Sequence, residues 1–105
     1  MSVMSWLPMK YRDFYDVPRA FVAEREGQLY FFDCPFDTVA DDYPEYFTVY
    51  LLPNELAMEL DTISWESLAS RGHEIGRVPA KSVSFDPTKR RLVNDGIFGL
   101  LLESQ

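Results

Sequence analysis

The chain has one cysteine, one histidine and, between residues 26 and 70, not one lysine or arginine. A lone Cys34 has no partner for an internal disulfide, which excludes a small oxidised scaffold and makes a reducing cytoplasm the expected setting. Cys34 and His73 together supply fewer nitrogen and sulfur ligands than a zinc ion takes, so neither metal nor cofactor is expected. The five glycines stand apart, in EGQ, RGH, IGR, DGI and FGL, and none belongs to a phosphate-cradling loop. No apolar run approaches the roughly 18 residues of a membrane-spanning helix. The opening MSVMSWLPMK lacks the basic start and apolar stretch of a secretory signal, so export is not expected.

The scarcity of histidine also bears on catalysis. A serine or cysteine nucleophile usually needs a base beside it, and His73 is the only histidine. Cys34 lies within an apolar run, where a thiol is usually inert packing. A non-catalytic role is therefore the main expectation. Its alternative is a small enzyme or ligand-binding protein, with a pocket near Cys34 and His73 or between the β layer and a helix carrying Trp65.

What the chain does contain is apolar and aromatic side chains, 47% and 15% of 105 residues, too rich a mixture for disorder. At this length residues 1–105 are expected to share one core and form a single domain, with residues 1–8 as a candidate loose tail. The 16 aromatic residues are many for so small a core, which keeps a homo-oligomer burying some of them open.

Short alternating runs dominate, while a sustained 3.6-residue period is nearly absent. Phe21–Glu24 and Leu29–Cys34 flank Arg25-Glu26-Gly27-Gln28 and read as a hairpin in which Gly27 takes positive φ. Leu29, Phe31 and Asp33 share one face and Tyr30, Phe32 and Cys34 the other. YFTVYLL, residues 46–52, behaves likewise, so both runs are expected to be central strands covered on both faces. ELAMELD is ambiguous and leans to strand on the alternation of Leu56, Met58 and Leu60. Ser64 is expected to cap a short helix over residues 64–71 that Gly72 stops, with Trp65, Leu68 and Ala69 on its inner side.

Beyond it, HEIGRV and KSVSF read as strands, Asp86-Pro87-Thr88-Lys89 as a turn and Arg90–Val93 as its returning arm. Asn94-Asp95-Gly96 reads as a second turn and 97–102 as a final strand or short helix. The predicted class is mainly β, with α+β as the variant. It is a small curled antiparallel sheet or SH3-like barrel of about five to six strands with one short helix near 64–71.

The formal charge of −7 is unevenly distributed. Residues 26–70 hold ten acids, whereas residues 71–91 hold six bases against Glu74 and Asp86. The densest acidic stretch is DCPFDTVADDYPEYF, residues 33–47, with five carboxylates threaded by four aromatic rings. It lacks the glycine and regular spacing of a calcium loop. Its aspartates suit turns, because their side chains accept backbone N–H bonds. It also suits a docking surface, with Phe36, Tyr43 and Tyr46 as contact area and Asp37, Asp41, Asp42 and Glu45 as charge. The expected partner is a basic protein, as for a small acidic inhibitor or immunity-like protein. Nucleic acid is not expected despite Lys89-Arg90-Arg91, since phosphate binding needs an excess of basic residues.

Overall fold

Glu26 and Gly27 both adopt left-handed backbone, with φ of 53° and 77°. Two such residues make the two-residue turn whose twist matches a β-hairpin. It joins β2 (Val17–Arg25) to β3 (Gln28–Asp33), with Arg25 opposite Gln28 and Phe21 opposite Phe32. The computed structural model that carries this hairpin describes residues 6–15, 17–83, 92–94 and 102–103. β4 (Tyr46–Leu52) pairs antiparallel with β3, and β5 (His73–Pro79) pairs antiparallel with β4. β3 and β4 are thus the interior strands, as their two apolar faces demand.

β1 (Trp6–Tyr15) pairs with β2, so five long strands form one antiparallel meander. Two short strands extend its edges: β6 (Leu92–Asn94) against β1 and β7 (Leu102–Glu103) against β5. The fold is mainly β with one short helix, and the sheet does not close into a barrel. Chain geometry requires it to curl. In a flat sheet Asn94, opposite Trp6, and Leu102, opposite Arg77 and level with Asp13, would lie about 29 Å apart across the strands and about 20 Å apart along them, further than the roughly 29 Å that the eight peptide steps between them reach when fully extended.

Each face of the sheet carries its own core, because strand side chains alternate. On one face Phe21, Phe32, Phe47, Val49, Val78 and Cys34 are fully buried. Phe21 stacks on Phe32 at 4.5 Å, and Phe47 meets Phe21 edge-on at 5.2 Å. On the other face Ala20, Val22, Leu29, Phe31 and Leu52 lie under a cover formed by residues 53–72. Leu56, Leu60 and Leu68 drop from that cover into the core.

The cover differs from the strand expected over ELAMELD. Asn54–Met58 is a 3-10 helix, with Leu56 and Leu60 buried and Met58 94% exposed. The working period is four residues, and Met58 mimics an alternation it does not join. The helix near 64–71 is present as a 3-10 turn, Trp65–Ser67, running into α1 (Leu68–Arg71). Ser64 makes no side-chain cap; its carbonyl instead accepts from Ser67 Oγ at 2.7 Å.

Gly72 ends α1 in extended backbone, so positive φ is not its reason. A Cβ there would meet Leu52 Cδ2 at 2.9 Å, Tyr50 Cβ at 3.0 Å and the Leu51 carbonyl at 3.1 Å. Only glycine lets the chain turn this close to β4. KSVSF also departs from expectation, since Ala80–Ser82 is a 3-10 turn followed by buried Val83. Of the arm expected over Arg90–Val93, Leu92 and Val93 pair with β1, and Leu102 lies in β7; Ser84, Phe85, Arg90 and Arg91 lie outside the described residues. The turns expected at 86–89 and around Asp95-Gly96 lie outside the described residues, as do residues 1–5 of the candidate tail; residues 6–8 belong to β1.

Candidate functional site: an acidic loop and a neighbouring cleft

Two bulges at the β1–β2 pairing prepare the site. Tyr11 faces Phe21 and Asp13 faces Ala20, which leaves Arg12 as an extra residue on β1; Phe14 then faces Pro18, which leaves Arg19 extra on β2. A bulge re-aims the residue it expels. Arg12 lies over the Trp65 ring at 5.2 Å, on the covered face. Arg19 lies over the Tyr43 ring at 4.3 Å, against the other core. Each arginine pins an aromatic residue of a segment outside the sheet, Trp65 in the cover and Tyr43 in a loop.

The Tyr43 loop connects β3 to β4. Its start is fixed by Cys34, whose amide donates to the Arg19 carbonyl at 2.7 Å and whose thiol donates to the Pro44 carbonyl at 3.4 Å. Burial pushes the Cys34 thiol above its ordinary pKa, and the charge of Asp33 adds to this; Arg19, by hydrogen bond and charge, pulls the other way. A fully buried, protonated thiol is a poor nucleophile.

The loop then closes on itself. Asp37 and Asp42 exchange two backbone hydrogen bonds, of 2.9 and 3.2 Å. Asp37 Oδ1 accepts from the amides of Val39 at 2.9 Å and Ala40 at 3.2 Å, while Asp42 Oδ1 accepts from the Tyr43 amide at 2.7 Å. Asp41 takes positive φ, 57°, which aspartate tolerates better than most residues. Phe36 packs edge-on against Tyr43 at 5.1 Å yet stays 47% exposed, and Val39 at the tip is 95% exposed.

The sequence-predicted residues therefore divide. Phe36, Asp37, Asp41, Asp42 and Tyr43 share one loop body, in which Asp37 and Asp42 spend a carboxylate oxygen each on the loop's own backbone. Asp41 and Glu45 are exposed. Glu45 anchors its end through its carbonyl, which accepts from Ala80 N at 2.8 Å. Tyr46 sits at the start of β4 with Arg77 over its ring at 4.9 Å. Beside them, Arg19, Asp42, Tyr43, Glu45 and Lys81 line a cleft of about 390 Å³, so two cations adjoin this end of the acidic surface.

Chain comparison adds no relative. No protein-family model, curated protein or solved structure matches this chain. The geometry alone must then separate the candidate sites.

It separates Cys34 from His73. His73, on β5, pairs with Leu51 of β4, whereas Cys34 continues β3 beyond Asp33, which pairs with Thr48 of β4. The two lie about 13 Å apart along the strands and about 10 Å across them. That separation keeps the thiol and the imidazole out of direct contact. Among the described residues no group of three or more potential metal ligands is brought together, and no helix is long and apolar enough to cross a membrane.

A larger cleft, about 680 Å³, opens between the sheet and the cover, lined by Arg12, Phe31, Asp33, Asp61, Trp65 and Glu66 among others. Phe31 floors it with Trp65 edge-on at 6.1 Å. Both the Trp65 indole nitrogen and Arg12 Nη2 donate to the Leu60 carbonyl, at 2.8 and 2.9 Å. Sequence reasoning foresaw a pocket beside Trp65 but missed Arg12 and Arg19. A bulge is set by the pairing partner, and no residue in either strand announces it.

Proposed function

We propose that this chain is a non-catalytic interaction domain that docks a basic protein, acting in the cytoplasm, where its buried free cysteine stays reduced. The docking face runs from Phe36 to Tyr46. The observation that supports it most is a loop tied by its own aspartates that nevertheless holds Val39 and half of Phe36 in solvent beside Asp41 and Glu45. Fixing a loop in advance lowers the entropic cost of association, and apolar contact ringed by charge is how such interfaces gain both affinity and register. An inhibitor or immunity-like protein would use such a face.

The experiment is capture on the immobilised chain, followed by affinity measurement against salt for the protein recovered. Asp41→Asn with Glu45→Gln should weaken binding and flatten its salt dependence. Val39→Ser should weaken binding while leaving the salt slope as it was. Thermal stability should stay close to wild type in both. A partner bound equally well by both variants removes the reading, and a recovered second copy of the chain replaces it with self-association.

A further inference from the structure

The loop between β3 and β4 closes on itself, but closure does not fix how it stands on the sheet. The Asp37–Asp42 bridge and the bonds made by the two aspartate side chains all lie within residues 37–43. Residues 35–42 are exposed, and Tyr43 is the half-buried residue through which this body meets the core beneath it. Pro35 and Pro44 bracket the body, and each stiffens its neck by fixing φ. The orientation of Val39 and Asp41 therefore follows from what holds Tyr43.

Arg19 holds it. Arg19 and Cys34 continue the β2–β3 ladder two residues past Phe21 and Phe32, so their side chains lie on the face that those rings fill. The bulge on β2 re-aims Arg19 toward the loop. Its guanidinium lies over the Tyr43 ring at 4.3 Å, and Nη1 donates to Cys34 Sγ at 3.8 Å. Phe36 meets the same ring edge-on at 5.1 Å. A guanidinium suits this place, because it is planar and weakly hydrated and so stacks on a ring at small desolvation cost. We infer that Arg19 is the positioning residue of the loop, fixing through Tyr43 the orientation in which Val39 and Asp41 are presented. What that orientation serves rests on the docking reading; the hold itself is independent of any partner. Lys81, also a cation lining the neighbouring cleft, separates a stacked contact from mere proximity of positive charge.

The test reads the full chain without a partner, by ¹⁵N heteronuclear NOEs of residues 36–43 set against those of β2 and β3, and by the Arg19 side-chain proton shifts. The wild-type loop should be as rigid as the strands, with Arg19 Hδ and Hε moved upfield by the Tyr43 ring current. Arg19→Gln and Tyr43→Leu should each lower the loop NOEs, and the double variant should lower them no further, as for two halves of one contact. Arg19→Lys, which keeps a cation at the ring, should recover part of the loss, and Lys81→Gln should leave the NOEs unchanged. Thermal unfolding checks that each variant is folded; if Arg19→Gln is not, Tyr43→Leu carries the test from the loop side. A loop still rigid in Tyr43→Leu or in folded Arg19→Gln overturns the inference. So do additive losses, a lysine variant no better than glutamine, or an equal loss in Lys81→Gln. For the protein recovered by capture, Arg19→Gln should weaken affinity roughly threefold to tenfold. Loop order lost with that affinity unchanged would leave the role of Arg19 standing and overturn the docking reading instead.

Discussion

Glu26 occupies a backbone conformation that side chains with a Cβ avoid, at a cost of about 1 kcal/mol or more. Asparagine adopts it more readily and favours the first central position of this turn. Glu26→Asn should therefore raise the urea midpoint, by a stability gain of about 1 kcal/mol, with the slope unchanged. A loss of stability would mean that Glu26 makes a contact outweighing its strain. Cys34 gives a pH prediction with a definite sign. Burial holds its thiol protonated in the folded state above the ordinary 9.0, so in mildly alkaline solution the unfolded chain releases this proton first. The stabilising contribution is whole below the unfolded value and is lost as pH rises toward the raised folded value. Tyr50, also raised chiefly by burial and then by Glu74 and Asp33, acts in the same direction above 10.0. Urea denaturation against pH should show stability falling through this window, and Cys34→Ala should flatten the earlier part of the fall. An identical fall in Cys34→Ala would remove the thiol as its cause.

The elements differ in how plainly they can be read. β3 and β4 were legible because each is apolar on both faces, and only an interior strand buries both. The β2–β3 hairpin was legible because Gly27 marks its turn. β1 was not, since Pro8, Lys10, Arg12 and Asp13 break up its apolar residues. Once paired, Leu7 and Met9 face one core while Lys10 and Arg12 reach the cover at Asp61 and Leu60. The segment from Asn54 to Asp61 misleads because Leu56, Met58 and Leu60 fit a strand period as well as a helical one. Substitution distinguishes the two. Leu56→Ala should cost about 2–5 kcal/mol, as for a leucine fully buried in a core. Met58→Ser should stay within about 0.5 kcal/mol. Equal losses at both positions, measured by urea unfolding, would restore the alternating reading. In the candidate site the turn-forming role of aspartate was legible, and Asp37 and Asp42 perform it. Which acids remain turned outward was not, because that depends on the loop's closure through Asp37 and Asp42.

At the scale of the whole molecule, charge and topology act together. The curl brings two covered faces into a chain of 105 residues, so nearly every carboxylate between 26 and 70 must sit on the outside. None of the buried side chains among the described residues is charged or polar. Ten acids with no base among them in sequence therefore repel one another across the surface, and the Lys10–Asp61 contact is an exposed pair of small worth. Salt weakens both terms, but it screens many repulsions and only a few attractions. Adding sodium chloride at neutral pH should thus raise the melting temperature, a gain of about 1 kcal/mol corresponding to roughly 4–8 °C in a domain of this size. The rise should shrink as pH approaches the isoelectric point near 4.5, where the net charge vanishes. A melting temperature that is flat or falls with salt at neutral pH would mean that the acidic middle is neutralised within the fold. The same result would remove the excess negative charge that the docking loop requires, so calorimetry at two salt concentrations tests the electrostatic premise before any partner is in hand.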